Sequence, residues 1–306
     1  MNPSSTPENA RTFHEQTSSF GREGNLVGTL SHPVQHSTPQ PCVLLLNAGV
    51  IGRAGPHRMN VRLARALAED GLPSLRFDLA GLGDSARSAS GQPYEKQAVE
   101  DLREAMDHAH AQIGATEFIL IGFCSGADHG YTAALADQRL KALVMFDPFA
   151  YPNILTHVVR VAVRIQQDGP KAVLQGWLQR KLTRRASSQT ESHTDSPAAG
   201  PPPAPAGPLV SSRMTPPQPM YAQALQGMQA RGVHLYMIHS GSGLYWYNHS
   251  LQFRIGFWRW PALWRIRCDY LPMVDHVVGE RRGQELLIRL IRQWISELPM
   301  RARRSA

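Results

Sequence analysis

Cys124 and His276 are the residues whose types and settings best suit chemistry. Cys124 sits in Gly122-Phe123-Cys124-Ser125-Gly126, after an apolar run from Phe118 to Phe123 and before an Ala-rich segment suited to a helix. A thiol in that setting is a nucleophile at the tip of a strained turn between strand and helix. Glycine two positions before it and two after it lets the strand and helix pass closely. The spacing selects Cys124 over Ser125, because centring the turn on serine would put the bulky Phe123 at the earlier small position. At the start of a helix, unpaired N–H groups and the helix dipole would favour the thiolate. The competing fate, a small buried hydrophobe, is the usual one for a free cysteine.

A thiol nucleophile needs a base. His276 lies in the loop from Pro272 to Val278, just before the final helix. Imidazole titrates near neutral pH, so it can take the thiol proton and later protonate a leaving group.

The elements that must position these groups alternate along the chain. A hairpin is expected from Ser19 to Pro33, then strands at Cys42–Leu46, Pro73–Asp78, Phe118–Phe123, Lys141–Phe146, Val233–Ile238 and Arg267–Leu271. Helical periodicity falls between them, at Met59–Asp70, Tyr94–Ile113 and Glu280–Leu298, with Gly71 and Gly114 as stops for the first two. Strands alternating with helices imply an α/β fold with a parallel sheet.

By these features the chain resembles the α/β-hydrolases from about residue 20 to 298. Three segments carry the resemblance: Asn47-Ala48-Gly49-Val50 after the third strand, the turn around Cys124, and Val274-Asp275-His276-Val277-Val278. Cysteine at the nucleophile position is similar to dienelactone hydrolases. The longer pattern, through Phe77-Asp78-Leu79-Ala80-Gly81-Leu82-Gly83-Asp84-Ser85, resembles serine-aminopeptidase-like hydrolases and hydrolases encoded beside exosortase and exopolysaccharide systems. The resemblance implies a mostly parallel twisted sheet of about eight strands, helices on both faces and a helical lid insertion. It further implies an oxyanion hole, with Val50 or Ile51 offering one amide and Ser125 the other. In such folds Asp78 holds the following loop through backbone N–H bonds.

The triad acid departs from the family pattern. The usual site after strand seven reads Ser240-Gly241-Ser242-Gly243 and has no carboxylate. Some members carry the acid after strand six, where this chain has Asp147. It could orient His276, or simply start the Asp-Pro turn. Asp275 is a weaker candidate. Arg53 and His57 follow the third strand; they could bind an anionic group of the substrate, or cap loops and pair with carboxylates.

Domain boundaries follow from composition. Residues 1–19 are polar and expected to be disordered, the core covers 20–150 and 220–298, and 151–186 form the helical insertion. The Pro-, Ala- and Ser-rich stretch 187–219 is expected to be a disordered linker, and 299–306 a basic tail. Residues Phe253–Ile266, with three tryptophans, are expected to be a helix and packing surface, or else a lid rim or membrane-facing patch. The net charge of +8 comes without a nucleic-acid motif, so it suggests a solvated surface or attraction to acidic substrates or anionic membranes. Three cysteines, no apolar leader and no run of spanning length point to a cytoplasmic protein with no integral membrane segment, leaving peripheral contact open. No metal-ligand spacing or nucleotide loop implies a cofactor.

The expected function is hydrolysis of carboxylic esters, lactones or thioesters in a small-molecule acyl substrate, through an acyl-cysteine intermediate. Alternatives are acyl transfer to a sugar or amine, and a non-catalytic binding protein of the same fold.

Overall fold

The computed structural model describes residues 13–34, 40–46, 49–171, 175, 214–243 and 245–302. Eight strands form one sheet: β1 (Phe13–Phe20), β2 (Leu26–Pro33), β3 (Cys42–Leu46), β4 (Ser74–Phe77), β5 (Phe118–Phe123), β6 (Leu140–Phe146), β7 (His234–Ser240) and β8 (Arg267–Leu271). Their order across the sheet is β1-β2-β4-β3-β5-β6-β7-β8. Only the β1–β2 and β2–β4 pairs are antiparallel; from β4 to β8 every pair is parallel.

A parallel sheet covered on both faces needs strands that are apolar on both sides. The residues of β3 and β5 alternate between two cores. Leu44, Leu46, Phe118 and Leu120 join one cluster, while Val43, Leu45, Ile119, Ile121 and Phe123 join the other. Helices α1 (Met59–Glu69), α2 (Tyr94–Ile113), α3 (Ser125–Ala136), α4 (Ile154–Asp168), α5 (Gln218–Ala230), α6 (Gln252–Gly256) and α7 (Arg281–Ser296) follow in order, with a last turn at Pro299–Ala302. Helix α2 adds Leu102 and Met106 to the first core, and α1 and α7 add Leu63, Leu287 and Ile291 to the second.

Three boundaries differ from expectation. Residues 13–19 are strand, because β1 pairs with β2 over its whole length and Thr17 Oγ1 lies 2.9 Å from Thr29 Oγ1. The aromatic stretch expected to be one helix is broken: α6 ends at Gly256, and a 3₁₀ turn covers Pro261–Arg265. Pro261 lacks the amide that a continuing helix requires. Helix α5 starts at Gln218, inside the expected linker. Residues 1–12 of the expected N-terminal tail, 172–174 and 176–186 of the lid insertion, 187–213 of the linker and 303–306 of the basic tail lie outside the described residues.

The parallel strands all end at one edge of the sheet. Chain direction across the sheet reverses at β3, which lies between β4 and β5, and ligands of open α/β sheets bind beyond the strand ends at such a point.

Candidate active site

Cys124 links β5 to α3 with φ 53° and ψ −118°, a conformation that non-glycine residues rarely adopt. Such strain costs on the order of 1–3 kcal/mol and persists only where the surroundings impose it. Here Cys124 N–H donates to Phe146 O at 2.9 Å and Ala127 N–H to Cys124 O at 2.9 Å. Gly122 allows the turn: a Cβ there would lie 2.3 Å from Gly126 O.

Asp147, directly after β6, is a second strained residue, with φ 51°. Its N–H donates to Ile238 O at 2.8 Å, which aligns the ends of β6 and β7. Its carboxylate accepts from the Ser240 amide at 2.7 Å, from the Ser240 hydroxyl at 2.7 Å and from His276 Nδ1 at 2.6 Å. Burial pushes the Asp147 pKa up. The bond from His276, the nearby His239 and the Ser240 amide outweigh that, so the carboxyl sits below its ordinary value.

His276 is held from both sides. Its backbone N–H donates to Ser242 Oγ at 2.8 Å, and its ring hydrogen-bonds Asp147 and Cys124. Since Nδ1 faces Asp147, Nε2 is left for the thiol. The Asp147 bond, then the Cys124 bond, raise the pKa of His276 to about 10 against the opposing effect of burial, with both negative charges adding to the rise. At neutral pH the ring therefore holds both protons. Cys124, His276 and Asp147 thus form a continuous hydrogen-bonded series.

Ser240 and Ser242 fall where the family pattern would place an acid, and sequence reasoning missed their roles. Gly241 between them fits the contact, since a Cβ there would lie 2.0 Å from Pro272 O, and Gly241 N–H donates to Val274 O at 2.8 Å. The loop after β7 is therefore pressed against the His276 loop. His239 was also missed; it is buried and stacked on Tyr247 with ring centroids 3.5 Å apart.

On the expected oxyanion side, Gly49 N–H donates to Ser125 Oγ at 2.8 Å, tying the loop after β3 to the turn at Cys124. The Val50 side chain is 85% exposed, and Asn47 and Ala48 lie outside the described residues. Arg53 pairs with carboxylates. Its Nη1 donates to Asp78 at 2.7 Å and to Asp84 at 2.5 Å, and its amide donates to Asp78 at 2.5 Å. Arg53 thus makes the carboxylate pairing that was one of its two expected roles. Asp84 N–H also donates to Asp78, at 3.2 Å. His57 lines a cleft of about 460 Å³ with Arg58, Arg62 and Arg281; Cys124, His276 and Asp147 are not among its lining residues. Among the described residues no group of three His, Cys, Asp or Glu side chains could hold a metal ion, and no helix is long and apolar enough to cross a membrane.

Comparison with known proteins follows the architecture. A Klebsiella pneumoniae protein assigned as a dienelactone hydrolase superposes with a TM-score of 0.55 at 14% identity, covering 94% of this chain and 99% of its own. An esterase from Pyrococcus furiosus gives 0.55 at 12% identity, covering 97% and 95%. An epoxide hydrolase from Vigna radiata gives 0.51 at 16% identity, covering 95% and 100%. At these identities the likeness is one of fold. No curated protein gives a significant sequence match. The family model described as the alpha/beta hydrolase fold matches residues 41–294, most of the chain. With its sheet order and strand-end loops, the chain belongs to the α/β-hydrolase family.

Proposed function

We propose that this chain hydrolyses a carboxylic ester, lactone or thioester of a small-molecule acyl substrate, with Cys124 as nucleophile. The observation that carries this is the series Cys124–His276–Asp147, anchored on two strained backbone positions. Strain at non-glycine residues clusters at active sites, and here it falls on both ends of one hydrogen-bonded series.

The resting pair is a thiolate beside an imidazolium. Cys124 Sγ attacks the acyl carbon, and the carbonyl electrons move to oxygen, where the amides of Ser125 and Val50 stabilise the developing charge. The bond to the leaving group breaks as His276 Nε2 delivers its proton to that group, leaving a thioester on Cys124. His276, now neutral, takes a proton from water as the water attacks the thioester. Collapse expels the Cys124 thiolate and releases the acid. Asp147 holds the imidazole in position and stabilises its charged form throughout. The insertion expected at 151–186 is kept as part of this proposal, with α4 among its described residues.

Intact mass of the protein after incubation with activated esters and thioesters tests the reading. An acyl adduct in the wild type that is absent in Cys124→Ala supports it. Turnover that persists in Cys124→Ala would assign the nucleophile elsewhere.

A further inference from the structure

Helix α4 carries an apolar stripe on its outer side. Thr156 is its buried residue, while Ile154, Val158, Val161 and Ile165 lie on the opposite side of the helix and are exposed, Ile154 to 83%. Beside it, the segment after β7 leaves Trp246, Leu251, Trp258 and Trp264 exposed, Trp258 to 66%.

The two segments are held together. Asn248 Nδ2 donates to Thr156 O at 3.0 Å, Asn153 Nδ2 donates to Gln252 O at 3.3 Å, and Arg164 donates to the Tyr245 hydroxyl at 3.2 Å. Arg160 and Arg164 both lie over the Tyr245 ring, at 5.7 and 5.8 Å.

The charge in this region is mostly of one sign, with Asp168 at the end of α4 as the exception. Residues 148–168 and 241–268 contain a single acidic residue, Asp168, against Arg160, Arg164, Arg254, Arg259, Arg265 and Arg267. Tryptophans and branched aliphatics edged by arginines match the boundary between headgroups and acyl chains of a bilayer, with the arginines meeting anionic phosphates. A second copy seated on the same face would set mostly arginine against arginine, with Asp168 as the one carboxylate of these segments.

We propose that this face docks the protein on an anionic lipid bilayer. Helix α4 begins seven residues after Asp147, and the tryptophan segment follows the loop that holds His276. The docking does not depend on the chemistry at Cys124.

The test is co-sedimentation of the full chain with vesicles of phosphatidylcholine alone and with roughly one-third phosphatidylglycerol, at low and at about 0.5 M salt. Expected is sedimentation with the anionic vesicles at low salt, a blue shift of tryptophan emission, and release at high salt. Trp246→Ser with Trp258→Ser should weaken partitioning about tenfold. Arg160→Gln with Arg164→Gln should weaken it about fivefold per charge. These side chains are exposed or half-buried, so thermal melting of each pair should stay close to wild type and serves as the folding control. The proposal is overturned if wild type stays in the supernatant with both vesicle types, or if both variant pairs bind as wild type does. Self-association by sedimentation equilibrium that the tryptophan pair abolishes, without vesicle binding, would also overturn it and assign the face to a second copy.

Discussion

Asp147 Oδ2 lies 2.6 Å from His276 Nδ1, although 129 positions separate the two residues in the chain. The pairing of β6 with β7 prepares the contact, since Phe146 is opposite Ile238, β6 ends there, and β7 runs on to Ser240 beside Asp147. Ser240 then fixes both carboxylate oxygens, so the acid meets the imidazole already oriented.

The first prediction concerns the proton on His276. A ring titration followed by nitrogen-15 NMR should give a pKa near 10 in the wild type. Asp147→Asn removes the larger of the two raising bonds and should bring it well down towards 6.5, further than Cys124→Ala does. A wild-type ring that titrates at 6.5 would mean that the pair is not formed in solution.

Activity should separate the acid from its support. Asp147→Asn is expected to lower kcat by about 10²-fold or more, since the ring loses its orienting acceptor. Ser240→Ala removes one of two bonds from Ser240 and leaves the amide in place, so a loss of about tenfold or less is expected. Equal losses in the two variants would place Ser240 in a larger role than orienting the carboxylate.

Stability should depend on pH through the same pair. The raised His276 pKa contributes stability that is complete below about 6.5 and lost as pH rises towards 10. The lowered Asp147 pKa contributes stability that is present above about 3.8 and lost as pH falls below it. The difference in Tm between wild type and Asp147→Asn should therefore be largest between these limits and shrink on either side. A difference that stays constant from pH 5 to 10 would rule out the linkage.

Gly122→Ala should be severe. Its Cβ would meet Gly126 O at 2.3 Å, backbone against backbone at the turn, with no flexible side chain to yield. A loss of roughly 3 kcal/mol or more is expected, read as a drop in the urea midpoint. A fully stable variant would show that strand and helix can separate there.

Much of the scaffold was legible because its segments carry their own signals. The apolar runs at Cys42–Leu46 and Phe118–Phe123, and the helix from Tyr94 to the stop at Gly114, match the structure residue for residue. Strand β1 was not legible: Phe13–Phe20 is polar between its two end residues, and only pairing with β2 makes it a strand. At the site, the turn at Cys124 and the loop of His276 stood out by their neighbours. Ser240 and Ser242 did not, because a serine that orients an acid looks like any other serine until the strand ends are aligned. Arg53 could be read two ways, and its pairing with Asp78 and Asp84 becomes visible only once the fold brings the loops together.

The alignment of β6 with β7 also bears on how the pattern could change. Asp147 and Ser240 already touch, so the acid and its hydroxyl support sit on two adjoining platforms. A carboxylate at position 240 would stand beside the place that Asp147 now fills. A protein of this architecture that lacks an acid after its seventh strand can thus still hold its histidine on a carboxylate, as Asp147 holds His276 here, and counting carboxylates at one position would overlook it.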